Sequence, residues 1–149
     1  MDIITLKTED FQKCGQIWNI HRQKALADRF YEELKNGNRT TFICQNGDCF
    51  LGEISIVKEM HDTDYTIADR RVYVSHLFVK PEMRRNGIGK ALIAHAVNEA
   101  KALGYTELSI GVDLDNYPAL KLYVSCGFDR VIFIGADAQG PYVKLLKSI

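Results

Sequence analysis

Hydrophobic and polar positions along the chain follow two periods, and the switches between them mark the elements. Ile3–Thr5 reads as a short strand. Thr8, Glu9 and Asp10 then open a helical segment in which Phe11, Cys14, Ile17 and Trp18 recur on one face. A second helix is expected over Ala25–Lys35, with Leu26, Phe30 and Leu34 four residues apart and Asn36–Gly37–Asn38 as its stop. Thr40–Cys44 and Cys49–Val57 read as a hairpin around Asn46–Gly47, and a two-residue loop there sets Cys44 opposite Cys49. Lys58–Arg71 is polar and loop-like. Val72–Lys80 is apolar almost throughout, the pattern of a central strand covered on both faces. A long amphipathic helix follows from about Gly87 to Leu103, apolar at Ile88, Leu92, Ile93, Ala96, Val97 and Ala100 and capped by Gly104. Then come a strand at Glu107–Val112, a short helix from Asn116 to Gly127, and strands at Phe128–Gly135 and Tyr142–Leu146. This order predicts a mixed α/β sheet in one domain, residues 1–149.

Composition narrows the function classes. The 149 residues hold 19 Lys plus Arg against 19 Asp plus Glu, a formal net charge of zero. No global positive field exists for nucleic acid, so an anion site has to be local. Met1–Asp2–Ile3 is not the basic start of a signal peptide, and no apolar run reaches the ~18 residues of a membrane span. With four cysteines outside any C-x-x-C spacing, the expectation is a cytoplasmic protein with reduced thiols. Cys44 and Cys49 read either as a redox pair or half a metal site, or as two small hairpin residues.

The chemistry concentrates after the central strand. Arg84, Arg85, Asn86, Gly87, Ile88, Gly89 and Lys90 lie between that strand and the long helix. Such a junction offers unpaired backbone N–H groups, the positive end of a helix dipole and glycines that let a ligand approach the backbone. It suits a diphosphate. A Walker A loop would need Gly at position 84 and Ser or Thr at 91, where Arg84 and Ala91 stand; a dinucleotide fingerprint would need Gly at Leu92. A second motif runs Asn116–Tyr117–Pro118–Ala119–Leu120–Lys121–Leu122–Tyr123 and closes with Cys126–Gly127–Phe128. Asn116 is a natural N-cap, and Tyr123 lies about two turns on, as a core residue or as a catalyst.

Together these motifs resemble the GNAT superfamily of N-acetyltransferases. Its Arg/Gln-x-x-Gly-x-Gly/Ala signature is matched by Arg84, Gly87 and Gly89, and its Asn-x-x-Ala-x-x-Leu-Tyr-x-x-x-Gly-Phe signature by Asn116, Ala119, Leu122, Tyr123, Gly127 and Phe128. The resemblance covers about Val72–Phe128 closely. It implies the GNAT fold, an α/β mixed central sheet of about six to seven strands flanked by about four helices. It also implies acetyl-CoA as cosubstrate, with no metal. The Arg85–Lys90 turn would then hold the pyrophosphate, with Arg84 adding charge beside it. The backbone of Leu77, Phe78 and Val79 would pair with the pantetheine arm where this strand splays from Glu107–Val112. Asn116 would hydrogen-bond the arm, Tyr123 would protonate the departing thiolate, and N–H groups around Val79 would stabilise the oxyanion.

The resemblance leaves the general base open. Ribosomal-protein N-terminal acetyltransferases of the superfamily carry a glutamate five residues before the motif Asn; here that position is Gly111. Candidates are Glu53 first, then Tyr73, His76, Asp113 and Asp115. Trp18, Phe30, Tyr31 and Tyr65, with Glu32, Glu33, Asp62 and Asp64, are available to line an acidic, aromatic acceptor mouth. The expected function is acetyl transfer to a primary amine of a small molecule, by direct attack in a ternary complex. A peptide or protein amine as acceptor and a non-catalytic CoA-binding sensor stand as alternatives. Neither a nucleic-acid nor a membrane partner is expected, and small domains of this family often pair as homodimers.

Overall fold

Residues 1–149 are described by the computed structural model. The strands are β1 (Asp2–Thr5), β2 (Arg39–Asn46), β3 (Cys49–Val57), β4 (Arg71–Val79), β5 (Glu107–Asp113), β6 (Arg130–Asp137) and β7 (Gly140–Ser148). The α-helices are α1 (Lys24–Lys35), α2 (Ile88–Ala102) and α3 (Tyr117–Ser125), joined by a long 3₁₀ helix at Thr8–Gln16. Seven strands form one mixed sheet in the order β1-β2-β3-β4-β5-β7-β6. The chain divides into two compact units, Met1–Val57 with Ser75–Ala96 and Lys58–Val74 with Val97–Ile149, so that β4 and α2 each run through both.

In the first unit, β2 and β3 pair antiparallel and carry β1 on the β2 edge. One face of these strands is covered by Phe11 and Cys14 from the 3₁₀ segment, by Ile17 and Trp18 just after it and by Ala27 and Phe30 from α1, all buried. The segment at Thr8–Gln16 is 3₁₀ where helical spacing predicted α. Phe11, Cys14 and Ile17 recur every three residues, which is the 3₁₀ period. The other face carries the start of α2. A Cβ on Gly52 would lie 3.3 Å from Ile88 and Leu92 side-chain atoms and 3.2 Å from the Phe78 carbonyl oxygen, so the absent side chain lets β3 sit tightly here.

The hairpin register differs from the expected one. Gly47 and Asp48 form the turn, with Gly47 at φ +60°, Asn46 faces Cys49, and a bulge between Cys44 and Gln45 sets Cys44 opposite Gly52. Cys44 is buried and Cys49 exposed, so the two cysteines are not a cross-strand pair.

In the second unit, β5 pairs in parallel with the start of β4, from Arg71↔Glu107 to Tyr73↔Ser109, and antiparallel with β7 along its whole length. β6 and β7 form the last hairpin, and β7 takes the inner place beside β5. Leu108, Ile110, Val112, Phe128, Val143 and Leu145 are buried. No helix is long and apolar enough to cross a membrane.

Candidate functional site

β4 ends at Val79, and a 3₁₀ turn at Pro81–Met83 leads to the start of α2 at Ile88. Two left-handed residues bracket Asn86 in this junction, Arg85 at φ +65° and Gly87 at φ +79°. They bend the backbone into the helix start, where the first N–H groups have no intrahelical carbonyl partner. The turn is braced internally. Arg84 Nε donates to the Val79 carbonyl at 2.9 Å while its guanidinium lies 5.3 Å from the Phe78 ring centre, and Asn86 Nδ2 donates to the Met83 carbonyl at 3.1 Å. Arg84, Arg85 and Lys90 are exposed, and a Cβ on Gly87 would meet nothing within 4 Å. The outer side of the turn therefore has room for a ligand as well as positive charge. A cavity of about 440 Å³ opens beside it, bounded by Asn86, Gly87 and Ile88 and by Ile3, Cys44 and His95.

Under the end of β4 lies a buried carboxylate. Glu53 is 3% exposed on β3. Trp18 Nε1 donates to its Oε1 at 2.8 Å, His76 Nδ1 lies 3.0 Å from its Oε2, and the Cys14 thiol also hydrogen-bonds it. Burial, followed by the Glu53 charge, pushes the Cys14 thiol up, so Cys14 stays a neutral donor. His76 takes φ +54°, a left-handed conformation that a side chain in a strand rarely adopts. Its ring is held by Trp18 at 4.6 Å, Phe30 at 5.2 Å and Phe78 at 5.7 Å between centroids.

The second unit carries its own polar cluster. Tyr123 on α3 is buried against Phe128, and burial first, then the neighbouring Tyr73 and Cys126, push its hydroxyl up to about 12. It is therefore a protonated donor at neutral pH. Asn116 is exposed, and its side-chain oxygen accepts from Ala119 N at 3.3 Å as the cap of α3. The Tyr65 hydroxyl sits where a side chain on Gly111 would begin, and its ring packs on Tyr73 at 4.6 Å. Burial pushes Tyr65 up to about 12 as well. Beneath it, Lys144 Nζ reaches Asp62 at 3.1 Å and Asp64 at 3.0 Å and lies 4.8 Å from the Tyr65 ring centre.

The acetyltransferase (GNAT) family model matches residues 2–128. The chain belongs to the acetyltransferase (GNAT) family. N-acetyltransferase 8 of Homo sapiens is 31% identical over 96 residues, which is 60% of this chain and 42% of that protein. N-alpha-acetyltransferase 30 of Homo sapiens is 29% identical over 129 residues, 87% of this chain and 32% of that protein. The match therefore spans less than half of each of these relatives. The crystal structure of aminoglycoside 6'-N-acetyltransferase complexed with coenzyme A has a TM-score of 0.78, covering 99% of this chain and 97% of that one. At 15% identity this likeness is one of fold.

Of the residues that the GNAT resemblance singled out, the first unit holds Leu77, Phe78, Val79 and the Arg84–Lys90 turn, and the second holds Asn116 and Tyr123; the first unit also holds Glu53, the first candidate for the base. Glu53 and His76, weighed separately as bases, are bonded to each other. Most of the residues offered for an acidic aromatic mouth have partners within their own unit. Trp18 and Phe30 are core residues, Glu33 binds Arg39 at 3.2 Å, Glu32 binds Lys35 at 2.8 Å, and Asp62 and Asp64 hold Lys144. Two features escaped the sequence reading, the Trp18 and Cys14 donors to Glu53 and the Tyr65 hydroxyl at Gly111. The missing side chain at position 111 was the available signal for the second; the first left none.

Proposed function

We propose that this chain transfers an acetyl group from acetyl-CoA to a primary amine of a small molecule, by direct attack in a ternary complex. The observation that carries this reading is the turn between β4 and α2. Its two left-handed residues, open outer side and three exposed cations match the chemistry of a pyrophosphate. In this reading the N–H groups from Arg85 to Lys90 hold the pyrophosphate, and Arg84 braces the turn. The backbone of Leu77, Phe78 and Val79 pairs with the pantetheine arm, and Asn116 hydrogen-bonds it. Tyr123 gives its proton to the leaving sulfur, a role supported by its protonated state at neutral pH. Proton removal from the amine falls to the Glu53–His76 pair.

A peptide or protein amine is the second reading, supported by the similarity to N-alpha-acetyltransferase 30 along 87% of the chain.

Gly87→Glu tests the cofactor assignment. A Cβ at Gly87 meets no neighbour, so the expected structural effect is the cost of φ +79° on a non-glycine residue, about 1–2 kcal/mol. The added negative charge at the pyrophosphate should abolish acetyl-CoA binding in calorimetry while the protein keeps its circular dichroism. Unchanged affinity would remove the assignment.

A further inference from the structure

Glu53 is held by three donors that are neutral or able to be neutral: the Trp18 N–H, the Cys14 thiol and the His76 ring. A carboxylate buried in this way is expensive, since apolar residues of the same volume would stabilise the core better. His76 adds a second cost through its left-handed backbone, and such strain concentrates where function requires it. With Nδ1 facing a carboxylate 3.0 Å away, the neutral imidazole carries its proton on Nδ1 and its lone pair on Nε2. Three aromatic rings fix the ring plane, yet the side chain remains 18% exposed, so solvent reaches part of it. His76 also immediately precedes Leu77–Val79, the segment assigned above to the pantetheine arm.

We propose that His76 is the general base of this chain and that Glu53 is its positioning residue, fixing the tautomer that presents Nε2 to the incoming amine. This rests on the acetyl-transfer reading and deepens it. The amine nitrogen forms a bond to the thioester carbonyl carbon as the C–S bond breaks. The proton lost by nitrogen goes to His76 Nε2, the sulfur takes a proton from the Tyr123 hydroxyl, and both side chains return to their resting states by exchange with water. Around His76 the titratable and charged groups are Glu53 from β3, Cys14 from the 3₁₀ segment through Glu53, Arg39 from β2 and Arg29 from α1 on the Phe30 ring, and Arg84 on the Phe78 ring. Arg39 donates to Ser75 at 3.0 Å, stacks 3.7 Å from the Phe30 ring centre and is paired with Glu33 of α1.

The test has two parts. Imidazole nitrogen NMR on the wild-type protein reads the tautomer directly: the neutral ring should carry its proton on Nδ1, and a proton on Nε2 overturns the proposal without any variant. Acetyl transfer from acetyl-CoA is then followed by mass for spermidine, an aminoglycoside, lysine and a short peptide. His76→Gln should lower kcat by roughly 10²–10⁴-fold, remove the limb of the kcat/KM profile that rises with pH, and leave the acetyl-CoA affinity intact. Glu53→Gln keeps an acceptor for Trp18 but turns an N–H toward His76 Nδ1, which inverts the tautomer. It should lose most of the same rate, and the double variant should be no slower than His76→Gln alone. Wild-type rate and pH profile in His76→Gln overturn the proposal and leave the transfer reading standing. A wild-type protein that acetylates none of the amines overturns the transfer reading, and the proposal with it.

Discussion

Two ionic clusters of this molecule, one around the buried Lys144 and one around the buried Glu53, are built on opposite principles. Around Lys144 fixed charges of opposite sign meet: Asp62 and Asp64 face one ammonium, and the Tyr65 and Phe133 rings flank it at 4.8 and 4.6 Å. Burial weakens the charge of Lys144, but the two carboxylates outweigh it and hold the ammonium above its usual range. Glu107 repeats the pattern. Burial disfavours its charge, and the hydrogen bonds from Arg71 and Arg70 outweigh that and hold it low. Around Glu53, by contrast, no fixed cation is bonded to the carboxylate, and its one ionisable cationic partner is a histidine. A compensated cluster locks a loop to a sheet. A carboxylate whose partner can change its protonation state is suited to moving a proton.

Substitutions that remove one member of each cluster should separate the two kinds. The largest loss is expected for Glu53→Ala, which opens a cavity and strands the Trp18 N–H in the core, destabilising by about 3 kcal/mol in denaturant unfolding. Glu53→Gln should cost far less stability while losing activity, and equal losses of stability in the two would break the distinction. Gly111→Ala comes next. Its Cβ collides with the Tyr65 hydroxyl, so Tyr65 has to move off Gly111 at about 1–3 kcal/mol. Tyr65→Phe in the Gly111→Ala background should recover part of that loss in the same unfolding measurement. Lys144→Met should cost about 1 kcal/mol, since Asp62 and Asp64 are 39% and 40% exposed and regain water. It should leave acetyl-CoA affinity untouched.

The smallest and most graded effect is that of pH on the compensated clusters. Asp62 and Glu107 are held below their usual range. Their stabilisation is complete above about pH 4–5 and drains away as pH falls through the lowered folded values. Lys144 is held above its usual range, so its share is complete below about pH 10 and is lost as pH rises through the raised value. Thermal melts across pH should therefore show a plateau with two falling shoulders. In Lys144→Met the alkaline shoulder should shrink, and an unchanged shoulder would show that the ion cluster contributes no stability.

The elements that could be read in advance are those set by local pattern. The apolar run at β4, the stripe of Ile88, Leu92 and Ala96 on α2, and the Asn116 cap of α3 each follow from spacing alone. The 3₁₀ geometry at Thr8–Gln16 was there too, in the interval of three between Phe11, Cys14 and Ile17, although helical spacing predicted α. The shifted turn and the bulge that together set Cys44 opposite Gly52 were not, because no local pattern of the hairpin marks either. At the candidate site, the turn between β4 and α2 was legible as glycines and cations before a helix. The bonds of Glu53 were not, since Trp18, Cys14 and His76 meet it only once three separate segments are packed together. Likewise Asp62 and Asp64 looked like acids for an acceptor until Lys144 of β7 was found between them.

The central claim is that this chain acetylates amines with acetyl-CoA. Mass detection of acetylated product across polyamines, aminoglycosides, free amino acids and short peptides, with Tyr123→Phe run beside the wild type, tests it most directly. The account predicts product on one class of amine and a marked loss of rate in Tyr123→Phe with acetyl-CoA still bound. Acetyl-CoA binding without product on any class would contradict it, and equal rates in the two proteins would remove Tyr123 as the acid.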